Sequence, residues 1–190
     1  MSLRASILGA AIILVASMPA RAATFDFSGF TGVQPGNTAV LPEGTFTSLD
    51  DGLFVDGVTE YYSPTGSLCA LNAIGNCQAD LELAFNGLAS NLQFEAFGAD
   101  PGDENSVTIF SGLTLLQTIV ITADGIVDFT GFSNITSVLF DDSSTGGGFE
   151  FGNFTFDLTP VPLPAALPLF AATLGVAGVA GWRKRRKVAA

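Results

Sequence analysis

No histidine occurs anywhere in the 190 residues, and between Ala23 and Pro160 there is no lysine or arginine either. All seven basic residues are Arg4, Arg21 and the cluster Arg183-Lys184-Arg185-Arg186-Lys187, whereas all 18 acidic residues fall between Ala23 and Pro160. A segment of that composition can form no side-chain salt bridge within itself. Its carboxylates have to be accommodated by hydration, by salt or by bound cations. Nucleic acid is excluded as a partner, because a phosphate backbone must be neutralised by Lys or Arg, and anionic lipid headgroups are disfavoured for the same reason. Without His or Lys there is no ordinary base to activate a serine. The single tryptophan, Trp182, lies outside this segment, and its two tyrosines are the adjacent Tyr61-Tyr62. That leaves little of the indole and phenol surface on which sugars usually stack. Sixteen of the 17 phenylalanines lie within it and read as core, each worth roughly 2–3 kcal/mol when buried.

Cysteine is equally sparse. Cys69 and Cys77 are the only two, separated by a short stretch that includes Gly75-Asn76. In an exported chain such a pair closes a disulfide loop, with a stabilisation of roughly 2–3 kcal/mol from chain entropy. Two thiols with no histidine make a poor zinc site. Together with Tyr61-Tyr62 the loop marks a rim at which recognition is expected.

The two ends of the chain are apolar. Met1-Ser2-Leu3-Arg4 carries one cation, Ala5–Ala16 is an unbroken run of small or apolar residues, and Ala20-Arg21-Ala22 places small residues where a signal peptidase requires them. Residues 1–22 therefore read as a secretory signal peptide cut before Ala23. At the other end, residues 163–182 contain no ionisable side chain, and about twenty residues of helix span a bilayer's hydrocarbon core. This predicts a transmembrane helix. The cations at 183–187 would hold its far end in the cytoplasm, and Trp182 suits the headgroup layer.

Immediately before that helix stands Val161-Pro162-Leu163-Pro164-Ala165, where closely spaced prolines favour an extended backbone open to a processing enzyme. Motif, apolar helix and basic cluster, in that order over residues 160–187, resemble the sorting tail of the PEP-CTERM family of bacterial proteins in its VPLPA-CTERM variant. The resemblance implies export by a Gram-negative bacterium through an inner-membrane-anchored precursor. It implies recognition by an exosortase, a multipass membrane protease, after signal peptidase has acted. Release to the cell envelope or the extracellular matrix, with exopolysaccharide as a neighbour, would follow. On this reading the chain is a substrate for processing and no enzyme itself.

Residues 23–159 form a single domain by length. Alternation at Thr24–Phe27, Leu81–Phe85, Leu92–Glu95 and Val107–Ile109, with further runs at 45–49, 53–58, 114–122, 126–130, 135–140 and 149–158, predicts about ten short strands. Turn signals separate them: Asp51-Gly52, Asn86-Gly87, Asp100-Pro101-Gly102, Asp124-Gly125 and a flexible stretch from Ser143 to Gly148. In Phe149–Phe156 the alternation changes phase at Gly152-Asn153, as at a β-bulge. The expected fold is all-β, a two-sheet antiparallel sandwich of jelly-roll type followed by the C-terminal helix. No cofactor is required. Asp100, Asp103, Glu104, Asp141 and Asp142, with Asp50-Asp51, are candidates for Ca²⁺, which takes clustered oxygen ligands at loops. Glu60, Glu82, Glu95 and Glu150 are the remaining material for a carboxylate-dependent glycan-cleaving enzyme, although three of them occupy the polar positions of alternating strands.

Overall fold

Side chains on a strand point alternately to its two faces, so the alternating runs build strands with one buried and one wet face. The computed structural model of the protein describes residues 19–57 and 66–160, which are all-β apart from one 3-10 turn at Pro35–Asn37. The strands are β1 (Arg21–Thr24), β2 (Thr31–Val33), β3 (Thr38–Val40), β4 (Gly44–Ser48), β5 (Gly52–Asp56), β6 (Ser67–Leu71), β7 (Leu81–Phe97), β8 (Asn105–Ser111), β9 (Thr114–Ile121), β10 (Gly125–Phe129), β11 (Ile135–Asp142) and β12 (Glu150–Pro160). They join in one antiparallel network of order β2-β5-β6-β12-β7-β11-β8-β9, with β1 on β12, β10 and β4 on β7, and β3 on β4. The signal segment 1–18, Glu60, Tyr61-Tyr62, the motif 161–165, the apolar run to 182 and the cluster 183–187 lie outside the described residues. No helix among the described residues is long and apolar enough to cross a membrane.

The 17-residue β7 organises the network. Its first part, 81–85, pairs with β4 and β11, and its later part, 92–96, pairs with β10 and β12. Leu81, Leu83, Gly87 and Ala89 are buried, then Leu92, Phe94 and Ala96, so the buried set moves from odd to even positions across Ser90-Asn91. Asn91 takes up the irregularity with φ 53°, a left-handed conformation that asparagine tolerates better than most residues. One continuous strand can thus direct both halves of its apolar set into the core. β12 does the same where the sequence predicts a bulge: its register shifts beyond Gly152, and Asn153 has φ 51°.

The expected turn at Asn86-Gly87 is overturned, because the chain runs straight through it as β7. A side chain on Gly87 would come within 2.7 Å of the Thr159 carbonyl oxygen, so the glycine admits the close approach of β12 and no reversal is made. Asn86 instead donates its side-chain amide to the carbonyls of Leu41 (3.3 Å) and Pro42 (3.1 Å), closing the β3–β4 turn. Three strands are additional to those expected. β2 and β3 have three residues each, too few to show a period, and β6 (Ser-Leu-Cys-Ala-Leu) is buried on both faces and does not alternate. Thr24–Phe27, expected as one strand, pairs only as far as Thr24, although Phe25 and Phe27 are fully buried.

Phenylalanine rings form the core. Phe25, Phe27, Phe46, Phe85, Phe154 and Phe156 touch one another in one group, and Phe94, Phe129, Phe140, Phe149 and Phe151 form a second. Phe94 and Phe154 join the groups with centroids 5.0 Å apart and planes at 25°. Offset or edge-on contacts of this kind add to the stabilisation from burial alone. Phe154→Ala should therefore cost about 3–5 kcal/mol in urea denaturation, and Phe85→Ala, at a half-buried ring, distinctly less.

Candidate functional site

Two glycine-containing loops and the disulfide loop meet at one rim. After β7 the chain turns through Asp100-Pro101-Gly102, where Gly102 has φ 99° and the Asp103 N–H donates to the Asp100 carbonyl at 3.0 Å. Asp103 is buried at 3 % exposure, and its carboxylate accepts three backbone N–H groups: Asp100 (2.8 Å), Gly146 (2.8 Å) and Gly148 (3.1 Å). The backbone thereby supplies the positive partners that the composition lacks. The Ser143–Gly148 stretch, expected to be flexible, is held in place by this arrangement. A side chain on Gly146 would reach to 2.4 Å from Asp103 Oδ1, and one on Gly148 to 1.8 Å from the Cys77 carbonyl oxygen. These glycines admit close contact. Thr145 donates both its N–H and its hydroxyl to the Gly102 carbonyl, each at 3.2 Å, and Ser144 Oγ accepts from the Glu104 N–H at 3.1 Å.

Cys69, fully buried on β6, is disulfide-bonded to Cys77 as expected. Cys77 makes an isolated parallel bridge with Gly148, which seats the cystine loop on the glycine loop. Within it, Asn72 Oδ1 accepts from the N–H groups of Ile74 (3.1 Å) and Asn76 (3.0 Å), while Gln78 donates its amide to the Ser144 carbonyl at 3.1 Å. A hollow of about 210 Å³ lies beside this junction, lined by Cys77, Phe97, Gly98, Gly147, Gly148 and Glu150.

The acidic candidates divide between this rim and the outer sheet faces. Asp142 accepts from the Ser144 N–H (2.7 Å) and the Asn105 side-chain amide (3.2 Å). Asp141 is exposed on β11, and Glu104 is exposed beside Asp103. The rim thus gathers Asp100, Asp103, Glu104 and Asp142, but the Asp103 oxygens already face three amides. Among the described residues no three His, Cys, Asp or Glu side chains converge as metal ligands. Asp80 had no place in the sequence reading. It accepts the Asp142 N–H at 3.0 Å, and burial pushes its carboxyl above the usual range against that hydrogen bond, with Asp141, Asp50 and Asp142 adding repulsion.

Glu95 and Glu150 are diagonal neighbours on one face of β7 and β12, since Glu95 lies opposite Gly152 and Glu150 opposite Phe97. Each is held by a neutral donor: Glu95 by the Asn153 side-chain amide, Glu150 by Ser67 Oγ at 2.6 Å. Glu82 is exposed on the far part of β7. A second concavity, of about 420 Å³, is a groove over β1, β12 and β7 lined by Ala22, Ala23, Thr24, Asn91, Gln93, Thr130, Thr155, Phe156 and Asp157. Asn91 orders it, donating to Asp157 Oδ2 (2.9 Å) and accepting the Gly131 N–H (3.1 Å). Its amides, hydroxyls and single carboxylate can hydrogen-bond a hydroxyl-rich ligand. Compared with known proteins, the chain matches no family model and no curated protein.

Two substitutions test the rim. Asp103→Asn offers one acceptor oxygen to three N–H groups and should cost about 1–3 kcal/mol in denaturation at neutral pH, whereas Asp141→Asn should change stability by less than about 0.5 kcal/mol. Asp80→Asn should stabilise the protein at pH 7, because it keeps an acceptor for the Asp142 N–H and removes a half-buried charge. With its folded pKa raised, wild-type Asp80 binds a proton more tightly folded than unfolded, so the wild type recovers stability as pH falls from that raised value towards the ordinary 3.8. The advantage of Asp80→Asn should shrink over the same window in a pH series of melting curves.

Proposed function

We propose that this is a non-enzymatic exported protein of the cell envelope or extracellular matrix, delivered by an exosortase-type sorting system and acting in surface or biofilm structure or adhesion. The observation that carries the reading is the order, at 161–187, of Val-Pro-Leu-Pro-Ala, an uncharged apolar run and five cations. The position of the last strand supports it. β12 pairs with β7 as far as Pro160 opposite Gly87, so the last pair among the described residues immediately precedes Val161, and cutting within or after the motif leaves every described pair in place. At the other end, cleavage before Ala23 removes Arg21 and Ala22 from β1 but keeps Ala23 and Thr24 opposite Phe156 and Thr155.

It also removes the one ion pair among the described residues, Arg21 to Glu43 at 3.1 Å, which is solvent-exposed on the arginine side and of little weight for stability. The mature body would then carry no basic side chain from Ala23 to Pro160. On this proposal the twelve strands fold as a two-layered sandwich of jelly-roll type. One layer is built on the start of β7 with β3, β4, β11, β8 and β9, and the other on its end with β10, β12, β6, β5, β2 and β1. Exopolysaccharide is the partner for which the hydroxyl- and amide-lined groove, with Asp157 its single carboxylate, is suited, and Ca²⁺ at the rim is the alternative ligand.

Expressed with its cognate exosortase, the mature species should lack residues 166–190 by intact-mass spectrometry. A chain that keeps its C-terminus under those conditions contradicts the sorting reading.

A further inference from the structure

Among the described residues β9, Thr114–Ile121, stands at one end of the strand order and pairs along one edge only, with β8. It has eight residues, Thr-Leu-Leu-Gln-Thr-Ile-Val-Ile, with no charge, proline or glycine. Leu115 is 58 % exposed, Val120 56 %, and Leu113 in the adjoining turn is fully exposed. A long uncharged edge presents a row of free N–H and C=O groups beside apolar side chains, and this is the template onto which another strand adds. Proteins blunt such edges by shortness, charge or proline. The other edges here are blunted in those ways: β2 and β3 have three residues each, β1 has at most four, and β10 has five with Asp128 among them. β9 carries none of these devices.

We propose that β9 is a self-association edge, which pairs antiparallel with β9 of a second copy and joins two sheets into one. The occupant follows from charge. Any two copies are polyanions, repelling wherever their carboxylates face each other, and the stretch from Asn105 to Ala123 between Glu104 and Asp124 has no ionisable residue. The β8–β9 hairpin therefore lets two copies approach without opposing acids. A cationic partner gains nothing from this edge and is drawn to the acidic loops instead. Identical antiparallel strands related by a two-fold axis are complementary to themselves, so the contact closes as a dimer and does not propagate as a fibre.

Sedimentation of the full-length chain in detergent micelles tests this, with Val120→Asp as the probe and Val40→Asp, on the short β3 and 68 % exposed in the wild type, as the control. All three share the apolar termini, so differences among them report on the strands. The wild type should dimerise with concentration, and more tightly as NaCl is raised from ~0.01 M to ~0.5 M, because screening weakens polyanion repulsion. Val120→Asp should weaken dimerisation by about tenfold or more, and Val40→Asp should leave it unchanged. Amides of β9 should gain hydrogen-exchange protection in concentrated wild type only. If Val120→Asp fails to fold by circular dichroism, Leu115→Asp on the same edge takes its place. A monomeric wild type overturns the proposal, as do equal association of the wild type and the β9 variant, an equal loss in Val40→Asp, or association without protection of β9.

Discussion

Carboxylates without cations set the terms for this molecule. With Arg21 the one basic residue among those described, no network of ion pairs can hold the body together, and apart from Glu43, which meets Arg21, the described acids are hydrated at the surface or satisfied by neutral donors. The structure uses the peptide N–H for that purpose. Asp103 takes three such groups, Asp124 accepts the Ala99 N–H at 2.7 Å, and Asp26 and Asp128 accept N–H groups two residues ahead, from Ser28 and Thr130. In the last two cases these backbone bonds, with help from the neighbouring hydroxyls, hold the carboxyl below its ordinary range. Cohesion then comes from apolar packing, and the two phenylalanine groups joined through Phe94 and Phe154 supply it.

Such a core needs strands that turn a continuous apolar set inward while bending between neighbours. Asparagine provides the irregular points. Asn37, Asn91, Asn134 and Asn153 are the non-glycine residues with positive φ among those described. Asn91 and Asn153 lie inside β7 and β12, where the buried set changes phase, and their side chains reach Asp157 and Glu95 across the strands. The backbone irregularity and the neutral partner for an acid are thus the same residue.

Much of this fold is legible in the sequence where a period is long enough to count. The alternation of Phe149–Phe156 locates the bulge at Gly152-Asn153, and the runs at 114–122 and 135–140 become β9 and β11 within a residue or two. The Cys69–Cys77 pairing is the one expected for the chain's only two cysteines. What the sequence conceals has physical causes. Asn-Gly signals a hairpin only if both residues take positive φ, and at Asn86-Gly87 the demand for space against Thr159 prevails. The strand β6 is buried on both faces, which erases alternation, and three-residue edges carry no period. At the rim, no sequence pattern shows that the Asp103 carboxylate accepts amides 43 and 45 residues away.

Because electrostatics within the body is almost wholly repulsive, the sorting proposal and the neutral dimer edge share one premise: the β body between Ala23 and Pro160 carries acidic side chains and no basic ones. Thermal unfolding of the protein in NaCl from ~0.01 M to ~1 M tests that premise most directly, since the screening length falls from ~30 Å to ~3 Å over this range. The midpoint should rise steadily with salt, as screening removes repulsion in the folded state and, among the described residues, finds only the exposed Arg21–Glu43 pair to weaken. A midpoint that falls with salt would show that attractive ion pairs hold the fold, and would contradict the account.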